Sequence, residues 1–531
     1  MKDKHLSTLV SQGKKGSLSR RQFMQGALAL GLTVPSAIAL WTTQVKAATP
    51  KKGGTFRAGV GDANTTDTLD PGQALGLFAI QAPHIWGTYL TEVTPDNKIG
   101  PDSAESWEAT PDAKTWRFKL QKGQEFHNGK SLTSDDVVAS INHHLSADSK
   151  SGAKGLLADV EAVKTDGSDV VVITMKVGTA DLPAIVADYH LPIMPSDGSG
   201  KVDATSGIGA GPYKLVSFQP GVQASFTRND KYHRETYFDE IQLLGINDVT
   251  ARMNSLVSGL VDAIDRPDPK VLDMLKSAPN IVIDEVPSGT QVTLDMDCSA
   301  APFNDLDVRL ALKYALDRRA VLEKIALGYG TLGNDHPIAS NILYYAQLEQ
   351  REYDPDKARF HLKKAGAENL AVSLSLSDAV YESGVDIGNI YQQSAQKAGI
   401  KIDVVNEPTD SYWSNVWGKK PFAGGNYGQR MTPDMVFSTF FRKGADWNVT
   451  RWDNDRFQKL LLEAKGELDE QKRAAMYKEM QQLCRDDGGT IVAFFQSFLT
   501  ARSDRVQHQA NMSSEWQLDG GRAYHRWWFA D

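Results

Sequence analysis

A chain of 531 residues with 58 basic and 66 acidic side chains carries a formal charge of −8, which argues against nucleic acid or an anionic membrane as partner. Its length exceeds what one hydrophobic core organises, so two or three lobes are expected. Cys298 and Cys484 are the only cysteines, and the sequence is compatible both with a disulfide between them and with two buried thiols on separate elements.

The first 47 residues read as a targeting segment rather than as part of the fold. Ser19-Arg20-Arg21-Gln22-Phe23-Met24 is a twin-arginine pattern, an apolar run follows from Met24 to Leu40, and Val45-Lys46-Ala47 offers small residues for cleavage. As a membrane anchor the run is too short, since Gly26, Gly31 and Pro35 interrupt it and a span needs roughly 20 apolar residues. With no cysteine near the cleavage point, a free periplasmic protein is expected rather than a lipid-anchored one. Removing residues 1 to 47 leaves 51 basic against 65 acidic side chains, a charge of −14 on 484 residues. No second apolar run is long enough to cross a bilayer, and there is no internal repeat or low-complexity tract.

The remaining chain opens with Gly53-Gly54-Thr55-Phe56-Arg57-Ala58-Gly59, read as a strand, and Thr68-Leu69-Asp70-Pro71, read as an Asx-type turn. Trp86, Tyr89 and Leu90 are expected on a helix packed behind it. Thr110-Pro111-Asp112 is a turn, and Trp116, Phe118 and Leu120 alternate with Arg117 and Lys119 as in a strand with one buried face. After a second turn at Asn128-Gly129, Thr133 or Ser134 caps a helix that carries Asp135 and Asp136 in its first turn and Val137, Val138, Ile141 and Leu145 on its apolar stripe. The glycines of Gly209-Ala210-Gly211-Pro212-Tyr213 imply a close backbone approach; no Walker pattern or strand-G-x-G-x-x-G-helix context accompanies them, so a chain crossing is the better reading than a phosphate loop. Val308 to Asp317 is expected as a helix with an Asp-rich entry and an exit at Gly328. Pro355 to Gly366 is expected as a second, with proline in its first turn and glycine past its end.

Several of these segments together resemble the family 5 extracellular solute-binding proteins, the peptide, dipeptide and nickel receptors of ABC importers. The resemblance rests on Ala104-Glu105-Ser106-Trp107, Lys122-Gly123, Phe126-His127, Gly129-Lys130, Leu132-Thr133 and Asp136-Val137. It extends to Thr68-Leu69-Asp70-Pro71, Gly209 to Leu215, Arg228-Asn229-Asp230-Lys231-Tyr232, the set Arg252, Leu256, Gly259 and Asp262, and Pro302-Phe303-Asn304-Asp305 with the helix after it. It implies an α/β fold, a two-lobed periplasmic binding protein of type II with an extra subdomain. Lobe I is expected from residues 48–87, 208–288 and 490–531, the subdomain from 88–207 and lobe II from 289–489. It implies no catalysis and no cofactor, an inner-membrane permease as partner, and a monomer that closes over a peptide or an acidic solute. His127 belongs to the family's phrase and is expected to be structural, and the aromatic tail Trp527-Trp528-Phe529 is expected to pack in lobe I.

The chain departs from the family between Pro421 and Phe437. Peptide-binding relatives carry there an aspartate that pairs with the free α-amino group; aligning Thr432-Pro433-Asp434 with their D-P-D places Gln429 at that position and Arg430 beside it. Gln429 then suits a neutral polar group and Arg430 a carboxylate or phosphate, unless Arg430 faces solvent or pairs with Asp434. Asn426, Tyr427 and Trp413 complete the candidate ligand contacts, with Tyr412 and Trp417 as further aromatics that serve either a ligand or the core.

Two other classes remain open. An exported enzyme is one, although H-E-x-x-H, G-x-S-x-G and zinc-spaced cysteines are missing from the sequence. A metal or haem receptor is the other; His143 and His144 make a poor chelate because neighbours on a helix point apart, and His84, His127 and His190 are scattered.

Overall fold

The computed structural model describes residues 50–530 except Ala147, and before them Leu6, Thr8, Leu9, residues 20–30 and Leu32. Within the first 47 residues, expected to be a targeting segment, Arg20–Ala29 is a helix, while the expected cleavage point at residues 45–47 lies outside the described residues.

Two long strands, Ile281–Met296 and Thr490–Ser503, organise the molecule. They pair antiparallel from Ile281 opposite Ser503 to Asp295 opposite Thr490, and their register shifts between Pro287 and Gln291. Their neighbours differ along their length. Residues 291–296 pair with Phe422–Tyr427, beyond which lie Ala371–Leu376 and Lys401–Asn406. At the other end, residues 500–502 pair with Ala263–Asp265, which continues through Thr55–Val60, Glu240–Gly245, Gln223–Arg228 and Tyr213–Gln219. One sheet is therefore shared by two lobes that the chain links through these two paired strands.

Each lobe buries its own core. Lobe I packs Phe56, Trp86, Tyr213, Phe238 and Trp527, with Phe56 stacked on Phe238 at 4.7 Å. Lobe II packs Leu294, Leu312, Leu374, Tyr391 and Phe422 on one face of its sheet, and Tyr427, Phe437, Phe457 and Tyr477 on the other. The extra subdomain is the four-stranded sheet Ala104–Ala109, Thr115–Leu120, Val170–Met175 and Val160–Thr165 with the helix Ser134–Leu145 against it.

Local sequence signals hold in most places. Trp116, Phe118 and Leu120 are buried, and the alternate residues are not. Thr133 caps its helix, its backbone N–H and its hydroxyl both donating to Asp136 at 2.9 and 3.0 Å. Asp70 accepts from the Gly72 amide at 2.9 Å in the expected Asx turn. A Cβ on Gly209 or Gly211 would fall 2.2 or 2.3 Å from the carbonyl oxygens of Trp86 and Gly87, and His127 receives the Gly209 amide and bonds the Gly211 carbonyl at 3.1 Å. Pro355–Ala365 is a helix with Asp354 as its cap and Gly366 in the left-handed conformation.

Two expectations are corrected. The helix expected to carry Trp86, Tyr89 and Leu90 runs Leu77–Trp86 and ends at Gly87, so Tyr89 and Leu90 lie beyond it. The segment from Val308 to Gly328 is two helices, Leu306–Ala315 and Arg318–Lys324, because Asp317 turns its side chain onto the Ala320 amide and starts a new one. Cys298 and Cys484 are free thiols, Cys484 fully buried. Among the described residues no helix is long and apolar enough to cross a membrane.

Candidate functional site

The lobes meet along two seams. Near the crossing strands the contacts are neutral. Gln429 accepts the Gly289 amide at 2.6 Å and an Asn341 amide N–H at 3.3 Å; Asn341 donates to Ser514, whose own backbone N–H donates to Asn97 at 2.8 Å. Farther out, between the subdomain and lobe II, the contacts are charged. Asp181 accepts from the Thr432 hydroxyl and from the Arg473 guanidinium. Lys465 bonds Asp159 at 2.7 Å, the Ala180 amide donates to the Lys465 carbonyl at 2.8 Å, and Met435 packs on the subdomain core. This is a closed arrangement, since Asn341 and Gln429 of lobe II reach Ser514 of lobe I at the inner seam, and Thr432, Arg473 and Lys465 of lobe II reach Asp181 and Asp159 of the subdomain at the outer one.

Inside the outer seam lies a cavity of about 440 Å³, lined from the subdomain by Asp159, Asp181 and Ile185 and from lobe II by Arg430, Asp434 and Trp447. That volume suits a small solute. The loop entering the helix Pro433–Phe440 carries Arg430 into it, with Thr432 capping the helix by accepting the Met435 amide at 3.3 Å. Arg430 Nη1 donates to the carbonyls of Gly428 and Gln429 at 3.2 and 3.1 Å, and the guanidinium lies over Phe440 and Trp447, 5.7 and 5.9 Å from the ring centres. It forms no ion pair, with Asp434 or any other acid, among the described residues, and partial burial lowers its pKa from the ordinary arginine value.

Asp434 is the counterpart. It is 7 % exposed, lines the same cavity and accepts no hydrogen bond from a described residue, its Oδ1 being wholly shielded. Burial first, then the nearby Asp181, pushes its carboxyl up to about 7, while Lys465 and Arg473 pull less strongly the other way.

The remaining candidates divide. Trp413 is 44 % exposed and lines a neighbouring cavity of about 750 Å³ with Trp417 and Arg451. An aromatic row joins the two cavities: Trp413 meets Trp417 at 6.0 Å, Trp417 meets Trp447 edge-on at 5.6 Å, and Trp447 stacks on Phe440 at 5.8 Å. Tyr427 is buried under this row, its hydroxyl donating to Asp295 at 2.7 Å and accepting from Trp417 Nε1 at 3.3 Å. Burial pushes Asp295 up to about 6 against the hydrogen bonds it receives from Tyr427 and Thr293. Asn426 donates to the Val380 carbonyl at 2.8 Å, within lobe II. Thus Gln429 sits on the inner seam, Arg430 and Trp413 line cavities, and Tyr427 and Asn426 are engaged within their lobe.

The sequence reading passed over Asp434 as a contact in its own right, and over Asp181 and Trp447. Asp434 was visible only as the acid of a P-D step; its burial and the approach of Asp181, which bonds Thr432 from 251 residues away, leave no local trace. Histidines are dispersed: His336 and His525 are buried in different lobes, and among the described residues no three His, Cys, Asp or Glu side chains gather as ion ligands.

Comparison with known proteins places this geometry. The sequence model of the bacterial extracellular solute-binding proteins, family 5 (Middle), matches residues 98–448. The chain is 26 % identical over 430 residues to haem-binding protein A of Haemophilus influenzae, covering 74 % of this chain and 78 % of the relative. It is 25 % identical over 426 residues to di/tripeptide-binding protein 1 of Pseudomonas aeruginosa, covering 73 % and 79 %. Among solved structures, HbpA2 from Haemophilus parasuis superposes with a TM-score of 0.79 at 20 % identity, covering 90 % of this chain and 99 % of that one. The binding protein AgaA of A. tumefaciens R10, in complex with agropinic acid, gives 0.69 at 23 % identity, with the same coverage. With the shared sheet, the two lobes and a model match over most of its length, the chain belongs to the bacterial extracellular solute-binding proteins of family 5.

Proposed function

We propose that this protein is the periplasmic receptor of an ABC importer for a solute bearing a carboxylate or phosphate, and that it exports through the twin-arginine route, loses residues 1 to 47 and works as a monomer without catalysis. The lobes, divided as 48–87, 208–288 and 490–531 for lobe I, 88–207 for the subdomain and 289–489 for lobe II, close on the solute and present it to an inner-membrane permease. Closure is selected by whatever bridges the seams, because a ligand shifts the open–closed equilibrium only by its preference for one state.

The observation that carries the choice of solute is Arg430: a partly buried guanidinium facing the interlobe cavity with Nε and Nη2 free of described partners. Such a group recognises planar anions with two parallel N–H bonds. Gln429, spent on the Gly289 amide, supports this reading by placing no charge where peptide-binding relatives hold an acid. The aromatic row from Trp413 to Trp447 supplies stacking surface for the rest of the solute. Relatives named for haem and for di- and tripeptides mark the family's range.

A thermal-shift screen of the mature protein against short peptides and sugar-derived acids tests it. A ligand at a hundredfold excess over its Kd stabilises the folded state by about 2.7 kcal/mol. Stabilisation by anionic solutes that disappears in Arg430→Ala supports the reading; stabilisation that survives this substitution overturns it.

A further inference from the structure

Behind the aromatic row, on the central strand Ile281–Met296, stands a carboxylate that the proposed binding does not use. Asp295 is buried and forms no ion pair among the described residues. Its Oδ2 accepts from the Tyr427 hydroxyl at 2.7 Å and from Thr293 at 2.9 Å, while its Oδ1 is wholly shielded and without a donor. Gly425 on the paired strand makes the room, since a Cβ there would stand 2.6 Å from Asp295 Oδ2 and 2.9 Å from the Tyr427 ring. The groups that face Asp295 from the other elements are Tyr427, Tyr412 and its strand partner Thr490. Of these, Tyr412 has its hydroxyl at the Ser375 and Gly424 carbonyls, 3.2 and 3.0 Å away. A buried carboxylate with no cation beside it is costly, and an apolar residue in its place would cost less, so the fold alone does not call for it.

What Asp295 orders is the surface on which Arg430 rests. With Asp295 ionised, the Tyr427 O–H is fixed as a donor to it, which leaves a phenol lone pair for the Trp417 indole N–H at 3.3 Å. Trp417 meets Trp447 edge-on at 5.6 Å, and the Tyr427 ring itself packs on Phe440 at 4.7 Å. Trp447 and Phe440 are the two rings beneath the Arg430 guanidinium. One phenol therefore supports both. We propose that Asp295 is a positioning residue for the anion site: by fixing the direction of the Tyr427 hydroxyl it holds Trp417, and through it Trp447 and Arg430, in the arrangement that faces the cavity. This rests on Arg430 as the anion clasp and adds the residue behind it. Once protonated, Asp295 can itself donate to the phenol oxygen and compete there with Trp417, and the row loses its fixed end.

Burial pushes the Asp295 carboxyl up to about 6, so the ordered row is complete at pH 8 and about a tenth populated at pH 5. Apparent anion affinity falls with the competent fraction, about tenfold over that range. Fluorine NMR of the protein labelled with 5-fluorotryptophan tests the chain of contacts without a ligand. The Trp417 and Trp447 resonances, assigned by their loss in Trp417→Phe and Trp447→Phe, should move together between pH 8 and 5 with a midpoint of about 6. They should stay still in Asp295→Asn, which keeps an acceptor for Tyr427 but does not titrate, while an unchanged Trp527 resonance in lobe I reports that the variant is folded. Titration calorimetry with gluconate should show about a tenfold loss from pH 8 to 5 in the native protein and none in Asp295→Asn. Tyr427→Phe, a second variant that removes only the hydroxyl, should leave both resonances insensitive to pH and gluconate weak at both values. A Trp417 resonance that stays still in the native protein, or moves equally in Asp295→Asn, overturns the proposal. So does a Trp417 shift that Trp447 does not follow, or gluconate binding that is equal at both pH values while the resonances move. If the resonances behave as expected and neither gluconate nor another sugar-derived acid binds, Asp295 holds the row and the anion reading alone fails.

Discussion

The inner and outer seams hold lobe II with different chemistry, against lobe I at the inner seam and against the subdomain at the outer one. At the inner seam Gln429, Gly289, Asn341, Ser514 and Asn97 exchange neutral hydrogen bonds next to the strands that connect the lobes. At the outer seam Asp181, Arg473, Asp159 and Lys465 meet as charges. In the proposed opening about the paired strands, residues next to them move little and neutral groups suffice to set the angle. Residues far from them separate and return to water, so charges there add long-range attraction on approach. The fine geometry of closure is thus held at the hinge, and its sensitivity to ionic contents is concentrated at the rim.

Breaking the outer seam at its most buried point should have the largest effect. Arg473→Ala strands Asp181, and removing one member of a buried pair costs about 3–5 kcal/mol. Because opening lets Asp181 reach water, the loss should appear mainly as a shift to the open form, read as an increased radius of gyration in solution scattering. An unchanged radius would mean that Asp181 finds another partner. On the inner seam, Gln429→Ala leaves the Gly289 amide without its acceptor and should cost about 1–3 kcal/mol, measured as a lower urea midpoint at constant slope; its effect should be insensitive to salt. The smallest change is expected from Lys465→Met. Its pair with Asp159 is part-exposed, with side-chain exposures of 26 and 40 %, so the loss should stay below about 1 kcal/mol and fade as salt is raised. If salt weakens the Gln429 variant more than the Lys465 variant, the contrast between the seams fails.

Sequence patterns reported this fold where one stretch of chain settles its own conformation. The alternation at Trp116, Phe118 and Leu120 and the Asp354, Pro355 and Gly366 signals are of that kind. They misled where two local signals competed: Asp317 is a helix cap inside an apparently continuous helical pattern, and its bond to the Ala320 amide ends one helix to begin another. Recognition of Arg430 followed from its substitution pattern within a loop, since the departure from the family phrase is itself local. Asp434 was out of reach because its burial and the approach of Asp181 from the subdomain leave no sign in its sequence neighbours, whose hydrogen bonds are already taken. Gln429 was read as a ligand contact from its alignment with the family loop; its bond to Gly289 falls where the strand Ile281–Met296 shifts register, which periodicity does not encode.

The two paired strands that join the lobes also impose an order of assembly. Lobe II is one continuous stretch between them and needs only the second strand, whose Ile491, Ala493 and Phe494 enter its core, to complete it. Lobe I must wait: Ala263–Asp265 has no partner on one side until residues 500–502 arrive, and the strand Pro50–Lys51 pairs with Phe529 and Ala530. Residues 50–51 are therefore locked by residues 529–530. A nascent chain carries an open sheet edge at Ala263–Asp265 until residues 500–502 fold back onto it.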